Sequence, residues 1–145
     1  MTDHMRPHKL PRWLIMVAKS RGRKAVYRVR ADRAAADLAI LVSIKWPYAE
    51  RDEDGFPAPA VRRAMDALDA AFDEITEAEL VLVTTGMGVK EWAFYTGNFG
   101  RFIDEFDGLR HGKPRAPVMI TYRFDPGWQY WRLVRRHAKP YALAS

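Results

Sequence analysis

The chain contains no cysteine, so disulfide bridges, thiolate metal sites and cysteine nucleophiles are excluded. Long apolar runs are also missing. Trp13 to Ala18 follows several basic residues, but it is too short for a signal core or a membrane span, and no small-residue cleavage site follows it. Histidine is scarce: His4 and His8 stand at helical spacing in a proline-containing segment, His111 and His137 stand apart, and no zinc-ligand spacing results. No glycine-rich loop leads into a helix, because Gly86-Met-Gly-Val-Lys falls between two expected strands and reads as a turn. There is no nucleophile elbow, no His-Glu-x-x-His and no serine with a base in sequence context. These absences assign no catalytic residue, no metal and no cofactor, and leave an enzyme with a convergent active site as an alternative. A cysteine-free chain without a span suits a reducing compartment, so a cytoplasmic protein is expected.

What is present is the composition of a folded domain. At 145 residues, with 48% apolar and 29% charged residues, the chain can bury one core and is too short for two ordinary ones. The expected organisation is a mobile tail over residues 1–11, a single domain over 12–137 and a C-terminal tail over 138–145. A net charge of +6 conceals strong segregation. Met1 to Arg33 carries ten basic residues against Asp3 and Asp32, Glu50 to Glu79 carries ten acids against Arg51, Arg62 and Arg63, and Arg110 to Lys139 carries eight basic residues against Asp125. This polarity fits either a solvated surface or an end that attracts an acidic partner.

Hydrophobic period divides the chain into elements. Trp13 to Lys19 and Ala25 to Arg30 form a basic hairpin around Gly22, which supplies the positive φ a tight turn needs. Leu38 to Trp46 alternates, with Leu38, Ile40, Val42, Ile44 and Trp46 on one face. Pro47 and the acidic run Glu50 to Asp54 break that strand; the run lacks the spaced ligands of a calcium loop. Val61, Met65, Leu68, Phe72 and Ile75 line one stripe of a helix over about Pro59 to Ile75, while Asp66, Asp69 and Asp73 avoid the stripe and face solvent. Ala78 to Thr85 and Lys90 to Thr96 are paired strands. Phe99, Phe102, Phe106 and Leu109 mark a second helix capped by Asn98, and Val118 to Phe124 is the last strand.

The fold class expected is α+β, a ferredoxin-like βαββαβ sandwich with an added N-terminal β-hairpin and a C-terminal helix. In such a sandwich both crossover helices cover one sheet face. The other is left for the hairpin, a ligand, water or a second subunit, so a homodimer through that face is one expectation. The Asp125-Pro-Gly-Trp turn is the sharpest local motif. Asp125 serves to cap the following helix, Pro126 suits its first position, and Trp128 and Trp131, three apart, face the core. The candidate binding surface is Arg21, Arg23, Lys24, Arg28, Arg30, Tyr95 and Arg123. These basic and aromatic side chains would meet single-stranded RNA if the hairpin folded over the free face. The diagnostic aromatic motif of RNA-recognition modules is absent, and Glu91 stands where such a module favours a base.

Gly55-Phe-Pro ahead of the first long helix, Leu68-Asp69 within it, Gly88 before a strand, Phe94-Tyr95, and Asp125-Pro-x-Trp with Tyr130 together form a pattern in a fixed order. By these motifs the chain, from about Trp13 to Val134, resembles the bacterial domain-of-unknown-function family 695 and, more distantly, the protein inhibitors of ribonuclease E. The resemblance implies a ferredoxin-like sandwich without an established activity, and the inhibitors act by binding a protein. The arginine-loaded hairpin departs from those generally acidic inhibitors. The expected function is therefore non-catalytic binding of a macromolecule, a protein partner first and RNA second, with no membrane association.

Overall fold

A computed structural model describes residues 12–20, 23–33, 37–49 and 55–137. The N-terminal segment with His4 and His8, the hairpin loop with Arg21 and Gly22, the acidic run Glu50 to Asp54 and the C-terminal tail lie outside the described residues. The elements are β1 (Trp13–Ser20), β2 (Arg23–Arg30), β3 (Ile40–Pro47), α1 (Pro59–Phe72), β4 (Ala78–Gly86), β5 (Val89–Thr96), α2 (Phe99–Leu109), β6 (Met119–Phe124) and α3 (Gln129–His137). The architecture is α+β: one six-stranded antiparallel sheet, in the order β1-β2-β4-β5-β3-β6, with three helices. None of the described helices is long and apolar enough to cross a membrane.

Both crossover helices lie on the same face. Met65, Leu68 and Phe72 of α1 and Phe102 and Phe106 of α2 pack on Val42, Ile44, Trp46, Val83, Trp92 and Phe94. Phe72 is the hinge of this layer, edge-on to Trp92 at 5.2 Å and to Phe94 at 5.0 Å and stacked on Phe106 at 5.5 Å. Offset and edge contacts of this kind add to the burial of large rings. Asn98 caps α2 as expected, its side chain accepting from the Arg101 amide at 3.0 Å. Asp69 departs from expectation. It does not simply face solvent but accepts from Lys90 Nζ at 3.0 Å and from the Trp92 indole N–H, which ties α1 to β5.

The hairpin does not fold over the second face. It extends the sheet instead, with β2 pairing β4 from Ala25 opposite Gly86 to Val29 opposite Leu82. An edge row of unpaired amides and carbonyls is the strongest available attractor for a free hairpin, which explains the outcome. Leu38 also differs. It precedes β3 and packs with Leu41 and Tyr95 on the second face, not with Val42 and Ile44.

The β4–β5 turn is a two-residue loop with positive φ at Met87 (56°) and Gly88 (86°), the combination that matches the right-handed twist of a hairpin. Gly86, at φ 148°, is needed for a second reason: a Cβ there would stand 2.4 Å from the Lys24 carbonyl oxygen and 2.6 Å from Ala25 Cα. Backbone atoms of a paired strand cannot move aside cheaply. Gly86→Ala is therefore expected to cost more than about 2 kcal/mol in chemical denaturation. Met87→Asn, which tolerates the left-handed region better, should gain about 0.5–1 kcal/mol. An unchanged midpoint for either variant contradicts this account of the turn.

Candidate functional site

The second sheet face is built by alternation. Leu41, Ser43 and Lys45 of β3 stand beside Tyr95, Ala93 and Glu91 of β5, and Arg123, Thr121 and Met119 of β6 continue the same rows. Its half nearest β4 is apolar and its half nearest β6 is polar. The helix α3 covers the first and ends its cover at the second.

The position of α3 is set by the Asp125 turn. The Asp125 amide donates to the Ala39 carbonyl at 2.7 Å, and the Trp128 amide closes the turn onto the Asp125 carbonyl at 3.0 Å. The Asp125 carboxylate accepts from the amides of Gln129 (2.9 Å) and Tyr130 (3.0 Å), which α3 leaves unpaired at its N-terminus, and from the Tyr95 hydroxyl at 2.7 Å. Capping by Asp125 is thus observed, but Pro126 is not the first helical residue. It lies in the turn, and the helix begins at Gln129. Trp128 adopts φ 55°, unusual for a bulky side chain, and this drives its ring flat onto Tyr95 at 4.2 Å. Trp131 packs edge-on to Trp128 at 5.8 Å. Both indole N–H groups are satisfied, Trp128 on the Leu38 carbonyl at 2.7 Å and Trp131 on the Arg30 carbonyl at 2.9 Å.

This geometry relocates the sequence candidates. Tyr95 is fully buried beneath Trp128, so its ring is not presented to a base. Arg21 lies outside the described residues. Arg23, Lys24, Arg28 and Arg30 are half-buried on β2; Arg30 is ion-paired to Glu79, and Arg28 lies over the Trp13 ring at 4.8 Å. Arg123 is exposed on β6, four strand positions from β2, or about 19 Å away. The candidates therefore form no single patch. Burial raises the Tyr95 hydroxyl above its ordinary range, reinforced by its bond to Asp125. Burial also opposes the charge of Asp125. The bonds from Tyr95, Tyr130 and Gln129, with Arg123 nearby, outweigh it and hold that carboxyl below the usual value.

The polar half contains side chains that the motifs did not single out. Glu91 is 7% exposed, and its two oxygens accept from the Ser43 hydroxyl and, at 2.7 Å, from the Tyr130 hydroxyl. Burial first, and then the Glu91 charge, raise the Tyr130 hydroxyl above its ordinary range. Arg123 lies over the Tyr130 ring at 5.7 Å. Between α3 and β6 these groups, with Lys45 and Thr121, enclose a cleft of about 210 Å³. A signal existed: Glu91 is the one acid in β5, at even spacing from the buried Ala93 and Tyr95. Among the described residues no three His, Asp or Glu side chains converge as a metal site would require, and His111 is exposed in a loop.

The model of a family of unknown function, DUF695, matches residues 12–133. No curated protein and no solved structure gives a significant match.

The depressed Asp125 carboxyl makes stability depend on pH. Its folded value lies below the unfolded one, so its contribution is complete above about pH 4 and is lost as the pH falls through the folded value. Glu105 behaves alike: burial opposes its charge, but the Glu77 amide and the Thr76 hydroxyl and amide hold its carboxyl down. The unfolding free energy should decline below about pH 4. Asp125→Asn should cost about 1–3 kcal/mol at pH 7 and flatten that decline. A variant as acid-sensitive as the parent would show that the carboxylate is not the source.

Proposed function

Starting from the fact that the chain belongs to DUF695, a family of unknown function, we propose that it is a non-catalytic binding domain that docks an extended segment of a partner protein on the outer edge of β6. The observation that carries this reading is the exposure of β6. Met119, Tyr122 and Phe124 are 59%, 61% and 75% exposed, although each is large and apolar. They lie on a strand that pairs β3 on one side and ends the sheet on the other. Edge strands offer a row of main-chain donors and acceptors, and proteins that do not use them usually guard them with charges, prolines or bulges. Here Arg123 is the one charge in the strand. Strand addition would supply affinity through the main chain and specificity through pockets for alternate side chains.

The strand order β4-β5-β3-β6, with α1 and α2 on one face, supports reading residues 40–124 as a ferredoxin-like βαββαβ unit. The distant resemblance to ribonuclease E inhibitors, which bind a protein, points in the same direction. A cysteine-free chain suits the cytoplasm. A protein partner is preferred to RNA because the aromatic expected to stack a base, Tyr95, is buried.

The test is photocrosslinking in the protein's own cells, with p-benzoylphenylalanine in place of Tyr122 or Phe124, and of exposed Arg132 on α3 as the control. Adducts to protein should form several-fold more efficiently from the β6 positions and should survive nuclease. Equal yield from Arg132 would remove the β6 edge from consideration, and nuclease-sensitive adducts would replace the protein partner with RNA.

A further inference from the structure

We propose that the cleft beside Glu91 binds a small zwitterion, with its ammonium on the Glu91 carboxylate and its anionic end against Lys45 and Arg123 at the rim. The floor is a carboxylate taken out of water but given uncharged donors. Glu91 is held by the Ser43 and Tyr130 hydroxyls, whereas a carboxylate has room for about four donors. Among the described residues no Lys or Arg reaches ion-pair distance, 4.0 Å, of Glu91, even though Lys45 is its cross-strand neighbour. Burying an ion without an opposite charge in contact costs several kcal/mol, so such an arrangement favours a cation delivered from outside.

The rim has the opposite sign. Lys45 and Arg123 are both exposed at the mouth, and Arg123 is kept there by its position over the Tyr130 ring. A lone cation would be repelled by the rim and a lone anion by the floor. A molecule carrying both charges at its two ends meets each where it fits. The volume of about 210 Å³ is below the range of drug-sized pockets, which limits the ligand to a few non-hydrogen atoms. Thr121, paired across from Ser43, also lines the cleft, where its hydroxyl can orient such a ligand.

The experiment is a titration of the purified full chain with glycine, β-alanine and γ-aminobutyrate, which differ in charge separation. Butyrate and butylamine serve as one-charge controls, and calorimetry and backbone amide shifts serve as readouts. At least one zwitterion should bind with Kd below about 1 mM, moving the amides of Ser43, Glu91, Thr121 and Arg123, with each control at least about ten-fold weaker. Glu91→Gln should abolish binding. Because that substitution alters a buried hydrogen-bonded group and can disturb folding, Lys45→Gln and Arg123→Gln, at exposed positions, provide the second arm. At least one of them should weaken binding about ten-fold with an unchanged melting temperature. The proposal is overturned if no zwitterion saturates below about 10 mM, if a one-charge control binds equally well, or if both rim variants bind like the parent. None of these outcomes depends on a partner at the β6 edge, so the two readings fail separately.

Discussion

The Asp125 carboxylate is the constraint on which the second face of the sheet depends. It receives the Tyr95 hydroxyl from the sheet and two free amides from α3, so one anion joins a buried strand to a helix start. The helix needs that help. With nine residues it is too short to persist in water by itself, and its mean composition is polar. Its register is fixed by the turn before it, and the turn is fixed because the Asp125 amide is held by Ala39. Once Asp125 is in place, Trp128 has no freedom but to lie on Tyr95, and its left-handed backbone is the local cost of that stacking.

The same constraint leaves the polar half open. The helix leaves Asp125 toward Trp131 and the Arg30 carbonyl, over the β2 side of the sheet, so it meets Glu91 through Tyr130 but leaves Thr121 and Met119 exposed. Two faces of one sheet therefore differ in kind. The face under α1 and α2 is closed by interlocked rings and tied at its margins by Asp69 and Glu105. The face under α3 is half aromatic core and half polar cleft. The segregated charge of the chain has a local explanation in the same terms. Arg30 meets Glu79, Arg28 and Arg33 lie over tryptophans, and Lys90 meets Asp69, so these four cations are engaged within the fold.

The elements that repeat a period were legible in the sequence. The α1 stripe, the α2 stripe with its Asn98 cap and the β4–β5 hairpin around Gly86 to Gly88 each carry several concordant residues, and the structure places them where the spacing does. What remained hidden needs knowledge of neighbours. Alternation places Tyr95 on the second face but does not reveal that Trp128 lies on it. It also assigns Leu38 to the wrong side, because that residue precedes the strand and is free of its pleat. Helical spacing puts Asp69 off the apolar stripe, yet its partners, Lys90 and Trp92, come from a strand that forms later in the chain. Glu91 is the instructive case. A charge on a strand reads as solvent-facing, and its burial follows only from Ser43 and Tyr130, residues 48 and 39 positions away.

The exposed edge and the cleft are neighbours, and that adjacency has consequences. Thr121, Tyr122 and Arg123 belong to β6 and also border the cleft, so a strand added along β6 would become its outer wall. Alternate side chains of β6 divide between the two roles. Tyr122 and Phe124 point to the helix side, where Phe99 stacks on Tyr122 at 4.0 Å, while Thr121 and Arg123 point to the cleft. Anything that stiffens β6 therefore acts on both, and a coupling between two sites on one strand must be reciprocal: occupancy of the cleft would change affinity at the edge by the factor with which the edge changes the cleft. The period of two in a β-strand thus sends Tyr122 and Phe124 to one surface and Met119, Thr121 and Arg123 to the other, where Thr121 and Arg123 border the cleft beside Glu91.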